Sequence, residues 1–494
     1  MCRQGFDNHL YIEKQSAMIR QRIEQLGGKL YLEFGGKLFD DYHASRVLPG
    51  FAPDSKIQML KAMADKAEII IAINAGDIAK NKIRGDLGIT YDLDVLRLID
   101  AFRAFGLYVG SVVITCFMGE PSAVAFKEKL EKLGLPVYLH YPIEGYPMNV
   151  PLIVSEDGFG KNDYVETQRP LVVVTAPGPG SGKMAVCLSQ LYHEYLRGVK
   201  AGYAKFETFP IWNLPLKHPV NLAYEAATAD LNDVNMIDPY HLEAYGKTTV
   251  NYNRDVEVFP VLNAIFERIQ GVSPYRSPTD MGVNMAGYAI VDDAACVAAA
   301  RQEIIRRYYA ARCDLRKGYG GEAAVQKIEL IMKQAGISES DRPVVAAAKA
   351  RAEETALPAV AIELPDGRIV TGKTSDLLGP SAAALLNAVK GICRMPKETN
   401  LITRSVIEPV QRMKLDVLGN HNPRLHSDEV LVALSISAAM SGEAARAVRH
   451  LADLRGCEAH STVILSQVDA DIYRKLGLNL TCEPTYQTKK LFHK

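Results

Sequence analysis

Fourteen residues constrain this chain more than any others: Leu171-Val-Val-Val-Thr-Ala-Pro-Gly-Pro-Gly-Ser-Gly-Lys-Met184. Four apolar residues in succession read as a buried parallel strand, and residues 176–182 hold three glycines and two prolines. From Lys183 the spacing of Val186, Leu188 and Leu191 predicts an amphipathic helix running to about Leu196. Strand, glycine-rich turn and helix together make an anion site, because free backbone N–H groups and the positive helix end face whatever lies in the turn. Lys183 adds a full charge. A nucleotide phosphate is the ligand such a stretch predicts.

The phosphate-loop pattern requires Gly, four residues, then Gly-Lys-Ser/Thr. Gly182 and Lys183 satisfy it, whereas Pro177 replaces the first Gly and Met184 replaces the hydroxyl residue that normally holds Mg²⁺. Gly178, Gly180 and Gly182 also resemble a dinucleotide fingerprint, but its third Gly would fall on Lys183. An ordinary strand-to-helix turn is the plain alternative. The lysine and the flanking elements favour a phosphate cradle built from Gly178, Gly180, Ser181, Gly182, Lys183 and Met184.

A chain of 494 residues exceeds a single core, so several domains are expected. Hydrophobic residues make up 48% and acids and bases balance at 57 each, which gives no bias toward nucleic acid or membranes. No apolar run reaches membrane-spanning length, no signal-peptide pattern is visible, and eight scattered cysteines suit reduced thiols. The expectation is a cytoplasmic, homo-oligomeric protein acting on a small molecule.

Strands alternating with helices predict an α/β fold of three-layer parallel-sheet domains, the second phosphate-loop-like, followed by a smaller C-terminal α/β domain. The expected boundaries are 1–170, 171–320 and 321–494. In the first domain, apolar runs at 29–34, 68–73, 108–114 and 136–140 alternate with helical patterns at 56–66, 92–105 and 122–133. Ligands of such sheets bind at the carboxyl ends of the strands. Two polar loops fall there: one carries Lys37, Asp40, Asp41, His43 and Arg46, the other Asn74, Asp77, Lys80, Lys82, Arg84, Asp86 and Asp92. As a set they suit an anionic or polyhydroxyl substrate, although any one of them is better explained as a solvated loop charge.

In the second domain a strand, Gly202-Tyr-Ala-Lys-Phe-Glu207, follows the phosphate-loop helix. This order is similar to the dethiobiotin-synthetase type of phosphate-loop protein over about forty residues, and that resemblance implies that Lys205 and Glu207 sit beside the phosphates. Asp230 and Asp233 offer carboxylates to Mg²⁺ in place of the missing hydroxyl. Helix capping is the commoner use of such residues. The segment Pro210–Pro219, with the only tryptophan, reads equally as a rigid lid or as a packing element. In the third domain Pro365-Asp-Gly367 predicts a hairpin. Thr371-Gly-Lys-Thr374 imitates a phosphate-loop end without its glycine turn.

Other chemistries are missing a part. His193-Glu194 has Arg197 where a zinc protease needs its second histidine, and Cys457 and His460 lack a matching pair. No Gly-x-Ser-x-Gly elbow and no basic stripe occur.

The runs Ile83–Asp92, Val174–Met184, Ala204–Asn221 and Ala229–Asn235 resemble the bacterial family known as domain of unknown function 1846, over almost the whole chain. Some members have been labelled ATP-dependent peptidases, a label that no protease constellation here supports. The resemblance implies a bacterial protein with a phosphate-loop-like domain and supplies no reaction. The expected function is a nucleotide-binding enzyme, with ATP the first candidate, that transfers phosphate to, or activates, a small polar metabolite in a kinase-like or ligase-like way. Lys183, Lys205 and Glu207 are its expected catalytic residues and Mg²⁺ at Asp230 or Asp233 its expected metal. The alternative is a sensor that binds a nucleotide or phosphometabolite without turnover.

Overall fold

The computed structural model describes residues 4–35, 38–39, 41–84 and 87–488. Gly36, Lys37, Asp40 and Asp86 of the two polar loops lie outside the described residues. The described residues divide into two units: one spans residues 4–225 with 233–300, the other residues 301–488 with 226–232.

The larger unit is built on seven strands, β1 (Leu30–Phe34), β2 (Ala67–Asn74), β3 (Tyr108–Thr115), β4 (Val137–Leu139), β5 (Leu171–Thr175), β6 (Gly202–Phe206) and β7 (Gly282–Val283). They form one sheet in the spatial order β7-β6-β1-β5-β2-β3-β4, and every pairing is parallel. The α/β expectation therefore holds, with a correction to its boundaries. The expected first and second domains are one sheet, because β1 pairs with β5 on one edge and with β6 on the other. A strand buried on both edges must satisfy its N–H and C=O groups from both neighbours, and those neighbours come from beyond residue 170.

Apolar runs without alternation mark strands covered on both faces. Tyr31, Ile70, Val172, Val174 and Tyr203 point to one face, where they pack with helix α5 (Lys183–Leu196) and helix α6 (Asn253–Gln270). On the other face Leu30, Leu32, Phe34, Ile69, Ile71 and Ile73 are equally buried. Here the labels α1 to α4 belong to Asn8–Gln25, Ser55–Lys61, Tyr91–Ala104 and Pro121–Lys132. Of these, α2 to α4 match the three predicted helices, each starting one residue earlier than its pattern. The segment 142–170, between β4 and β5, supplies Ile153, Phe159 and Val165 to the core beneath α5.

The smaller unit carries a four-stranded sheet of β8 (Ala359–Glu363), β9 (Ile369–Lys373), β10 (Glu458–Ser461) and β11 (Asn479–Cys482) in the order β9-β8-β10-β11. The β8–β9 and β8–β10 pairs are antiparallel and β10–β11 is parallel. The hairpin predicted at Pro365-Asp-Gly367 is present, with Gly367 at φ +81°. Thr371-Gly-Lys belongs to β9, where Gly372 lies against the backbone of Ala384 and no turn exists to hold a phosphate. His460, on β10, is fully buried with Nδ1 2.9 Å from Thr481 Oγ1.

Candidate functional site

The predicted strand, turn and helix are all present. β5 ends at Thr175, α5 starts at Lys183, and residues 176–182 cross between them. The turn owes its shape to its glycines. Gly180 (φ +77°) and Gly182 (φ +82°) adopt the left-handed region that other residues enter at a cost. Gly178 faces Tyr91, the first residue of α3, so closely that a Cβ would collide with the Tyr91 hydroxyl. Two hydroxyls fix the rest: Ser181 Oγ donates to Gly178 O at 3.0 Å, and Thr115 Oγ1, at the end of β3, donates to Ser181 O at 3.0 Å. Neither Tyr91 nor Thr115 is signalled by the sequence, since each is remote from the turn along the chain.

The chain moves along the sheet in one direction from β1 to β2 and β2 to β3 and in the other from β5 to β6, so right-handed crossovers put these connections on opposite faces. The turn therefore lies where adjacent strands send their connections to opposite faces, the crevice at which ligands of open parallel sheets bind. At that point the first-turn N–H groups of α5 have no helical acceptors of their own. Lys183 is partly exposed, with no carboxylate in ion-pair contact among the described residues. Met184 sits where a metal-holding hydroxyl would stand and packs into the core instead.

Lys205 and Glu207 are not immediately beside the turn, as the forty-residue resemblance implied. β1 intervenes: Lys205 is in register with Glu33 of β1, and Glu33 with Val174 of β5. Two strand spacings, about 9.5 Å, separate the ends of β5 and β6. The three residues share the face on which α5 and α6 pack. There the Lys205 ammonium pairs with Asp255, in the first turn of α6, and stands 3.0 Å from Glu207 Oε1. Tyr203 donates to Glu33 at 2.6 Å, and the ring of Tyr252 lies 5.8 Å from the ammonium. The Lys205 and Asp255 side chains keep 26% and 20% of their surface exposed and Glu207 only 5%, so the group opens toward solvent at one end.

Burial pushes the Glu207 carboxyl up to about 8, and the Asp255 carboxylate adds to the push against the pull of Lys205. Burial acts on Asp255 in the same direction, yet Lys205 outweighs it and holds Asp255 below the usual carboxylate range. For Lys205, burial favours the neutral amine, and Asp255, Glu207 and Glu33 together overcome it and keep the ammonium. A neutral carboxyl, a carboxylate and an ammonium thus stand together, the separation of environments from which an acid and a base are made. Glu33 and Asp255 were not found by reading the sequence, because only the fold brings them to Lys205.

The acids expected to hold Mg²⁺ have other surroundings. Asp233 is buried and bound at both oxygens by Arg254, at 2.6 and 2.8 Å. Asp230 is exposed in a short 3₁₀ turn, Ala229–Leu231, that belongs to the smaller unit. Among the described residues no group of three or more His, Cys, Asp or Glu side chains is placed to share a metal ion.

Of the polar loops, Asp41 caps a short helix and pairs with buried Lys56 at 2.7 Å. His43 packs on the rings of Phe209 and Tyr224. Asn74 caps the helix that follows β2, Asp77 pairs with Lys82, and Arg84 with Asp94. In the lid-or-packing segment, Trp212 lies against Gly282 of β7. Glu194 takes hydrogen bonds from Lys29, Tyr31 and Tyr164, and His193 Nε2 sits 2.9 Å from Asn162 O, so this pair is tied into the core.

The two sequence models of the family described as domain of unknown function DUF1846 match residues 4–336 (its N-terminal part) and 340–492 (its C-terminal part). The chain belongs to this family. A UPF0371 protein of Streptococcus thermophilus strain CNRZ 1066 is 59% identical over 494 residues, the whole of both chains. A UPF0371 protein of Streptococcus pneumoniae strain R6 is 58% identical over the same length. Among the described residues of this bacterial-type α/β protein, no helix is long and apolar enough to cross a membrane.

Proposed function

We propose that this DUF1846 protein is an enzyme that anchors a phosphate-bearing small molecule in the turn 177–184. The observation that carries the reading is the placement of a glycine-rich turn, a helix N-terminus and Lys183 together at the carboxyl edge of the parallel sheet. ATP remains the first nucleotide to test, with phosphoryl transfer to a small polar metabolite, or its activation, as the reaction. In that reaction the amides of Gly180–Met184 and the Lys183 ammonium offset phosphate charge. Lys205, Glu207 and Asp255 handle protons on the polar part of the substrate. Asp233, already forked by Arg254, is a poor donor for Mg²⁺, so no step is routed through that ion.

Isothermal titration of the full chain with ATP, ADP and inorganic phosphate, with and without Mg²⁺, tests the anchor. Lys183→Ala should weaken binding about tenfold or more, since a charge-assisted hydrogen bond contributes ~1.5–3 kcal/mol. Absence of binding by all three probes would sink the proposal. A second reading, a sensor that binds without turnover, is favoured by Met184 at the hydroxyl position. Binding of ATP with no ADP formed, even with cell extract added as a source of acceptor, would select it.

A further inference from the structure

We infer that Lys205, Glu207 and Asp255 form a second subsite, which receives the hydroxylated part of the ligand whose phosphate lies in the turn, and that the ligand is a sugar phosphate or phosphorylated polyol. The inference deepens the phosphate reading and rests on it for the anchor alone.

The distance comes first. From the end of β5 to the end of β6 is two strand spacings, about 9.5 Å, and both ends lie at the carboxyl edge of the sheet. A phosphorylated sugar spans that separation with its phosphate at one end and hydroxyls at the other.

The chemistry agrees with the distance. A hydroxyl group both donates and accepts hydrogen bonds, so a site for several hydroxyls needs donors and acceptors side by side. The Lys205 ammonium donates, the Asp255 carboxylate accepts, and the neutral Glu207 carboxyl can do both. The charged and titratable groups around them are Glu33 and Tyr203 from β1 and β6, Tyr252 and Arg254 at the start of α6, and Tyr224 from the helix Pro219–Ala227. Arg254 is already bound to Asp233 and Tyr203 to Glu33, which leaves the Lys205 group as the open part of the cluster. Trp212 stands beside it: a methyl group at Gly282 would touch both the indole and Glu207 Oε2. An aromatic wall next to carboxyl groups suits the mixed apolar and hydroxylated faces of a sugar ring better than a purely anionic ligand.

Titration calorimetry on the full chain decides it with four probes: inorganic phosphate, ribose 5-phosphate, glucose 6-phosphate and unphosphorylated glucose. At pH 7 the sugar phosphates should bind at least tenfold tighter than inorganic phosphate. Asp255→Asn should remove that advantage and leave inorganic phosphate unchanged, whereas Lys183→Ala should weaken all phosphorylated probes alike. The advantage should also decline as pH rises through about 8, when Glu207 loses its proton. Glu207→Gln, whose amide still donates, should abolish this decline. Sugar phosphates that bind no tighter than inorganic phosphate would overturn the inference, as would an advantage untouched by Asp255→Asn. Should Asp255→Asn fail to fold, the Glu207→Gln pH profile decides, and a profile identical to the parent's overturns the inference. Glucose bound and weakened by Asp255→Asn, with inorganic phosphate ignored, would keep the subsite and refute the phosphate anchor instead.

Discussion

Gly182→Ala isolates what the turn requires of its backbone. Gly182 sits at φ +82°, ψ +19°, at the N-cap of α5. An alanine forced into the left-handed region costs about 1–2 kcal/mol. Its Cβ would also come within 3.0 Å of Thr115 Cγ2 and 3.1 Å of Thr115 Oγ1, closer than ordinary van der Waals contact. Thr115 cannot retreat freely, because its hydroxyl holds Ser181 O, a bond with a net contribution of about 0.5–1.5 kcal/mol. The sum is about 1.5–3 kcal/mol, assembled from a backbone cost and part of one hydrogen bond. Gly180→Ala is the built-in control: its φ is +77°, but nothing lies within 4 Å of the added carbon, so it should cost only the backbone part. Thr115→Ser, which removes the methyl and keeps the hydroxyl, should restore a portion of Gly182→Ala when combined with it. Chemical denaturation of the four variants measures this directly. Equal stabilities for Gly182→Ala and the parent, or a larger loss for Gly180→Ala, would refute the reasoning.

Three further outcomes are expected. Lys205→Met leaves Asp255, Glu207 and Glu33 without their shared cation, and because the lysine side chain is partly exposed the loss should sit near the lower end of the ~3–5 kcal/mol range for broken buried pairs, read from denaturation midpoints. For Glu207, whose folded carboxyl is raised to about 8, the folded state holds a proton that the unfolded chain has already released above its ordinary value near 4.5. The stability it confers is complete below that ordinary value and lost as pH rises toward 8, so the parent should lose stability across this window relative to Glu207→Gln, and parallel curves would contradict the assignment. In the smaller unit, Arg342 is fully buried and donates to Glu458, Thr481 Oγ1, Ala459 O and Asn479 O. Arg342→Lys keeps the charge but loses the planar fork, and thermal melting should show a loss of about 3 kcal/mol or more, as for other broken buried networks.

The sequence by itself determined the local pieces. The apolar run 171–174, the glycines that follow and the apolar spacing after Lys183 specify strand, turn and helix through interactions a few residues apart, and each is found where the pattern put it. The hairpin at Pro365-Asp-Gly367 was legible for the same reason, since the turn residues set their own φ and ψ. Tertiary structure decided what those pieces do together. Strand pairing follows edge-to-edge hydrogen bonds between segments remote along the chain, and no local pattern records that β1 inserts between β5 and β6. That single insertion merges two expected domains into one sheet. It also moves Lys205 and Glu207 two strand spacings from the turn and brings Glu33 and Asp255 to meet them. Tyr91 and Thr115, which shape the turn, and Arg254, which occupies Asp233, are likewise partners chosen by packing, and only the folded chain reveals them.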